Sequence, residues 1–99
     1  MEIEFADPSL ARVETDEAGG TRLPVAVISS VRRKLTLLRA APDDRTLRNW
    51  KSLHYEKLKG GRAGQRSIRI NKQYRLVFSL DSETDPQTVT VLAIEDYHQ

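Results

Sequence analysis

Residues 66–80 read Arg66-Ser67-Ile68-Arg69-Ile70-Asn71-Lys72-Gln73-Tyr74-Arg75-Leu76-Val77-Phe78-Ser79-Leu80. Two runs rich in β-formers, 66–70 and 74–80, flank three polar residues, which is the pattern of a hairpin. Ile68 and Ile70 share one parity, and Tyr74, Leu76 and Phe78 share the same one, so the apolar faces coincide if Asn71-Lys72-Gln73 forms the loop. In that register Ile70 opposes Tyr74, Ile68 opposes Leu76 and Arg69 opposes Arg75. Two like charges then meet on the solvent face. That arrangement destabilises a hairpin unless the pair holds an anion, and the forked guanidinium suits phosphate. A register shifted by one residue would instead splay the two arginines apart.

Downstream, 81–87 is a polar turn containing Pro86, and 88–94 is rich in Val, Thr, Leu and Ile, as a central strand should be. Upstream, Lys59-Gly60-Gly61-Arg62-Ala63-Gly64 combines three glycines and two cations, so that backbone can approach a ligand closely. It lacks the Gly-Lys-Ser/Thr of a P-loop and serves equally as a connector. Residues 53–58 read as extended, and Asp43 or Asp44 caps a short helix carrying Leu47 and Trp50. From Pro24, apolar Val27, Val31, Leu35 and Leu38 recur at three- and four-residue spacing, predicting an amphipathic helix that ends before Pro42. Asp7-Pro8 starts a short acidic helix over 8–17, which Ala18-Gly19-Gly20 stops. Ile3 and Phe5 alternate with Glu2 and Glu4 as a strand. Trp50 reads as a core anchor for the short helix, and His54 as structural.

Helices early and strands late imply the α+β class: an antiparallel sheet of about 4–5 strands with two or three helices packed on one face, the other face being free. With 99 residues, 38% of them hydrophobic, the chain supports one core, and hence a single domain over 1–99. No apolar run approaches the roughly 20 residues that span a bilayer, and Met1-Glu2-Ile3-Glu4-Phe5 is acidic where a signal peptide is basic, so a cytoplasmic protein is expected. Without cysteine, and with only two histidines, neither a disulfide framework nor a usual zinc cage is available, and no metal or other cofactor is expected.

The net charge of +2 conceals segregation. Residues 1–20 hold one Arg against six acids, 21–80 fifteen basic residues against three acids, and 81–99 five acids with no Lys or Arg, giving −5, +12 and −5. Lys59, Arg62, Arg66, Arg69, Lys72 and Arg75 follow one another with no acid between them. Such a block suits a polyanion, although basic runs also serve simply as solvated surface.

Tyr55-Glu56-Lys57-Leu58-Lys59-Gly60-Gly61-Arg62-Ala63-Gly64-Gln65, Ser67-Ile68-Arg69-Ile70-Asn71, Gln73-Tyr74-Arg75-Leu76 and Glu95-Asp96-Tyr97-His98 together resemble the HigB-type killer toxins of the RelE superfamily. The resemblance runs from Leu23 onward, is strongest over 55–76 and 95–98, and is weak before residue 23. It implies a compact RelE-like fold and the toxin half of a type II toxin–antitoxin pair, a ribosome-dependent mRNA endonuclease that inhibits translation. It further implies metal-free chemistry in which the ribose 2′-hydroxyl attacks the adjacent phosphate, leaving a 2′,3′-cyclic phosphate and a 5′-hydroxyl. A HigA-like helix-turn-helix antitoxin is the implied partner beside ribosome and mRNA, with operator DNA reached only through the antitoxin. The exposed side of the first two helices is one surface it could cover.

On these terms His98 is the imidazole of the matched motif and titrates near neutrality, so it can accept or return a proton. Arg75 and Arg69, helped by Lys59 and Arg62, would stabilise charge developing on the phosphate. Tyr74 and Tyr97 offer ring faces to a splayed base, and Gln65 and Arg66 are further RNA contacts, Gln65 being equally plausible as plain surface. Glu56 stands where some members carry a histidine before the Leu-Lys-Gly turn, so it serves either as base or orienter or as a cross-strand partner of a cation. Asp96 is an orienter or an ion-pair partner of a hairpin arginine, its ordinary pKa being too low for a base. Tyr74 replaces a common tryptophan and Gly61 a common aspartate. The competing reading is a RelE-fold binding module without chemistry, acting on nucleic acid or on a topoisomerase-type target.

Overall fold

The structure is a computed structural model that describes residues 1–96; Tyr97 and His98, two of the expected site residues, lie outside the described residues. Strand β1 (Glu2–Phe5) is followed by two 3₁₀ segments, Pro8–Glu14 and Ala18–Thr21, then helices α1 (Val25–Ala40) and α2 (Asp44–Asn49). Strands β2 (Glu56–Lys57), β3 (Gln65–Arg69), β4 (Tyr74–Asp81) and β5 (Thr88–Asp96) complete the chain. The sheet order is β1-β5-β4-β3-β2, antiparallel throughout except that β1 runs parallel to β5, which makes one edge mixed. The α+β reading holds.

The helix from Pro24 forms as its spacing requires, burying Val27, Val31, Leu35 and Leu38 against the sheet residues Ile68, Leu76, Phe78, Val89 and Val91. Phe78 is wholly buried and meets the Tyr55 ring edge-on, with centroids 6.3 Å apart. Ser30, also buried, donates to the Ile70 carbonyl at 2.7 Å and pins α1 to the hairpin. At the other end of α1, the Met1 amino group donates to the carbonyls of Leu38, Arg39 and Ala41 at 3.0, 3.0 and 2.7 Å. These are carbonyls a helix end leaves unpaired, and a cation suits that negative pole. Asp43 caps α2 by accepting from Arg45 N at 3.0 Å.

Three expectations are corrected. The 8–17 segment is not an α-helix but a 3₁₀ segment ending at Glu14, and Ala18-Gly19-Gly20 forms a second 3₁₀ segment rather than a stop. Its apolar residues are too few for a helical stripe, and Arg32 instead takes the carbonyls of Val13 (2.7 Å) and Thr15 (2.8 Å). Residues 53–58 are extended only at β2, because Lys51–Leu53 turns as a 3₁₀ helix and His54 adopts a left-handed conformation with φ 46°. Trp50 is not a core anchor: it is 49% exposed, while Leu47 and Leu53 fill the core on either side of it. It lines an apolar groove of about 410 Å³ with Leu37, Ala40, Ala41 and Pro42. Among the described residues no helix is long and apolar enough to cross a membrane.

The N-terminal segment is tied to α1 by a bidentate pair, Arg39 Nη2 donating to Glu14 Oε1 at 2.7 Å and Nη1 to Oε2 at 2.5 Å. Hydrogen bonding from Arg39 holds the Glu14 carboxyl below its ordinary value of 4.5, against an opposing effect of burial. A depressed folded-state pKa stabilises above the unfolded value and ceases to do so as pH falls through the folded one. Glu14→Gln should therefore cost about 0.5–1 kcal/mol at pH 7, as for a half-exposed pair. In urea unfolding at stepped pH, the gap from wild type should close progressively below 4.5.

Candidate functional site

The hairpin register is as read from the sequence: Ile68 opposes Leu76, Arg69 opposes Arg75, and Ile70 N donates to Tyr74 O at 2.9 Å. Alternation puts Ile68, Leu76 and Phe78 against α1 and Ser67, Arg69, Arg75 and Val77 on the opposite face. Glu56 joins that face by pairing with Ser67, and Glu95 by pairing with Arg75.

The expectation of two arginines meeting in solvent is corrected. Arg75 is only 6% exposed. Its Nε donates to Ser67 Oγ at 2.9 Å, and Nη2 donates to the His54 carbonyl and, at 3.5 Å, to that of Ser67. Arg69 turns the other way, its Nε reaching the Asn71 carbonyl and its Nη1 reaching His54 Nε2, both at 3.2 Å. The opposed guanidinium groups are thus turned apart, Arg75 toward Ser67 and the His54 carbonyl and Arg69 toward Asn71 and the His54 ring.

His54, read as structural from the sequence, stands at the centre of this arrangement. A guanidinium carries only donors, so in this contact His54 Nε2 is the acceptor and its lone pair is directed at Arg69. The left-handed backbone of His54 turns its carbonyl to Arg75 while its ring faces Arg69. A non-glycine residue held there carries strain that the surrounding contacts must impose. An imidazole therefore lines the same cleft as Glu56, two residues before it in the sequence. Nothing in periodicity or composition announces a positive φ; the one available signal was an imidazole immediately before the Tyr55-Glu56 stretch.

His54, Glu56, Arg69, Asn71, Lys72 and Arg75 line a shallow cleft of about 270 Å³, three cations against one carboxylate. Asn71 is fixed by its own loop, Oδ1 accepting from Gln73 N and Tyr74 N at 2.8 Å each. Arg75 also reaches a smaller cavity of about 40 Å³ lined by Leu58, Arg62, Ser67, Val77 and Glu95.

The remaining expected residues divide. Arg62 lies beside the cleft, bound to Glu95 and, through Nε, to Gln65 Oε1 at 3.2 Å, so Gln65 also belongs to this region. Lys59 is exposed at the start of the Gly60–Arg62 turn. Asp96 opposes Tyr74 and accepts from Gln73 Nε2 at 2.8 Å. Tyr74 packs partly against the core, on the α1 side of the sheet by register. Arg66 opposes Lys57 and Phe78, which puts it on the α1 side too, away from Arg69 and Arg75. Its Nε is buried close to the Tyr55 hydroxyl with no hydrogen-bond partner among the described residues. Burial raises the Tyr55 pKa, opposed in part by the Arg66 charge.

A small mixed sheet with helices on one face and a basic, imidazole-containing cleft on the other defines a RelE-like toxin fold. The chain superposes on the YoeB/ParE toxin from Agrobacterium tumefaciens with a TM-score of 0.61 and 18% identity over 99% of this chain and all of that one. For YafQ from E. coli the TM-score is 0.65 with 17% identity, over 97% of this chain and 92% of the other. A YoeB–YefM toxin–antitoxin complex from Staphylococcus aureus gives 0.61 and 22%, over 100% and 98%. In sequence, the family described as the RelE-like toxin of type II toxin-antitoxin system HigB matches residues 3–98. Toxin HigB-1 of Vibrio cholerae serotype O1 is 37% identical over 78 residues, 79% of this chain and 82% of the relative. The chain belongs to the HigB-like toxins of type II toxin–antitoxin systems.

The left-handed position of His54 makes a specific stability prediction. Glycine tolerates φ 46° without penalty and alanine does not. In urea unfolding, His54→Gly should be more stable than His54→Ala by about 1 kcal/mol, although both lack the ring.

Proposed function

We propose that this chain is a ribosome-dependent mRNA endonuclease that inhibits translation by cutting the message through general acid–base chemistry. The observation that supports this most is the convergence of His54, Arg69 and Arg75 in one cleft. In the reaction, an imidazole takes the proton of the ribose 2′-hydroxyl as that oxygen attacks the adjacent phosphorus. The bond to the 5′-oxygen breaks, and a second group returns a proton to it, leaving a 2′,3′-cyclic phosphate and a 5′-hydroxyl. His54 and His98 are the two imidazoles for these roles, His54 Nε2 being released when Arg69 turns from it to the phosphate, and Glu56, on the same face, is the orienter. Arg75 and Arg69 carry fixed charge to where the phosphorane gains it. Since Arg75 is already held by Ser67 and the His54 carbonyl, little reorganisation is needed when charge develops.

The cleft is shallow and offers few contacts, so alignment of 2′-oxygen, phosphorus and leaving oxygen must come from elsewhere. A ribosome presenting an ordered codon supplies it. Tyr97 remains the ring best suited to stacking a splayed base, with Lys59, Arg62 and Lys72 contacting the strand and Asp96 orienting a neighbour. A helix-turn-helix antitoxin is the partner that restrains this activity in the cytoplasm, and operator DNA is contacted through it.

Inducing the protein and mapping 5′-hydroxyl ends of cellular mRNA checks the proposal. Cleavage should require translation and fall by roughly 10²-fold or more in His54→Ala and in His98→Ala. Growth arrest with intact mRNA would overturn it in favour of a non-catalytic module acting on nucleic acid or a topoisomerase-type target. Undiminished cleavage by both variants would remove the imidazoles from the chemistry.

A further inference from the structure

Glu95 sits opposite Arg75 on the neighbouring strand, on the face that carries the cleft, yet its carboxylate is committed to Arg62. Arg62 Nη1 donates to one oxygen at 3.0 Å and Nη2 donates to the other, while Nε goes to Gln65. This fork-to-fork geometry is the one a guanidinium uses with phosphate. The surroundings also suit a nucleic-acid backbone. Gly60, Gly61 and Gly64 face open space, with nothing within 4 Å of where a side chain would begin. Gly60 and Gly64 have φ of 66° and 89°, which only glycine adopts freely. Arg75 borders both the His54 cleft and the small cavity beneath the Arg62–Glu95 pair.

We propose that Arg62, with the glycine-rich backbone around it, is a phosphodiester subsite that the free protein keeps filled with its own Glu95 carboxylate. RNA engages the subsite by displacing Glu95. The inference rests on the reading of the cleft as RNA-directed, and adds a second phosphate contact and the group that competes for it. The side chains are 46% and 37% exposed, so the pair exchanges with solvent and gives way to a stronger ligand. A strand whose reacting phosphate meets Arg75 from the His54 side passes an adjacent phosphate to Arg62, which borders the same small cavity as Arg75. Glu95 is thereby a residue that sets RNA affinity without touching the reacting atoms.

The test is a double-mutant cycle on the full chain with Glu95→Gln, Arg62→Ala and the combination. The probe is a short single-stranded RNA made uncleavable by 2′-deoxy substitution, and Kd is read by fluorescence polarisation. Glu95→Gln should tighten binding by about two- to five-fold, the range of an exposed ion pair. In cleavage assays on translating ribosomes the gain should fall on KM rather than kcat, as for uniform binding. The gain should vanish when Arg62 is alanine, which separates competition for Arg62 from the mere removal of a negative charge. Equal or weaker binding by Glu95→Gln would overturn the proposal by making Glu95 a support that positions Arg62. Persistence of the gain without Arg62 would overturn it as well. A wild-type protein that neither binds the RNA nor cleaves message on translating ribosomes would overturn the functional reading itself, and this inference with it.

Discussion

Arg75 is a full positive charge almost withdrawn from water, and the site-bearing end of the molecule is arranged to make that tolerable. A buried guanidinium left without acceptors would be costly, so the chain brings it a hydroxyl from the adjacent strand and a carbonyl from the loop after α2. Those partners fix more than Arg75. Ser67 has to keep its place on β3, and His54 has to hold a left-handed backbone to aim its carbonyl inward. Once it does, its ring is carried to Arg69, and the second arginine of the opposed pair acquires an acceptor of its own. Burial of one cation thus organises an imidazole, a second cation and the cleft between them.

This dependence explains what could be learned from the residues alone. Alternation along 66–80 was sufficient for the hairpin register, since a slip of one residue would have sent Ile68, Leu76 and Phe78 to the wrong face. Spacing was likewise sufficient for α1, where a stripe of Val and Leu leaves little choice. The electrostatics were harder. Two arginines opposed on a nominally polar face look like an unmet anion site, but carbonyl and hydroxyl acceptors distant in sequence, at residues 54 and 67, cannot be seen in a local pattern. The place of His54 beside these arginines is hidden from a local pattern for the same reason. Arg66 illustrates the converse, because a run of cations suggests one continuous surface while strand alternation divides it between two faces.

Trp50 and the 8–17 segment failed for a different physical reason. In each case packing overrides a residue-type preference. A tryptophan after a capped helix turn looks like an anchor, but Leu47 and Leu53 already occupy the interior on both sides. Asp7-Pro8 starts a helical turn as expected, yet with Val13 as the buried residue of its segment there is no stripe to extend it, and Arg32 claims its carbonyls instead. The fold and the hairpin were therefore legible, and the family likeness supplied the outline of the site. The detailed chemistry of the cleft depended on tertiary contacts.

The order of the strands carries a consequence in time. The sheet runs β1-β5-β4-β3-β2, so the strand that joins β1 to the rest of the sheet is the one reached latest along the chain, and β1 waits for it across more than four-fifths of the sequence. Contacts so far apart are slow to form and leave early strands exposed until the late one arrives. The β2–β4 portion can pair beforehand, but Glu95 and the backing of Arg75 by β5 come only with residues 88–96. In a protein with this topology the residues lining the cleft are made first, and the strand that backs Arg75 and carries Glu95 is added to them last.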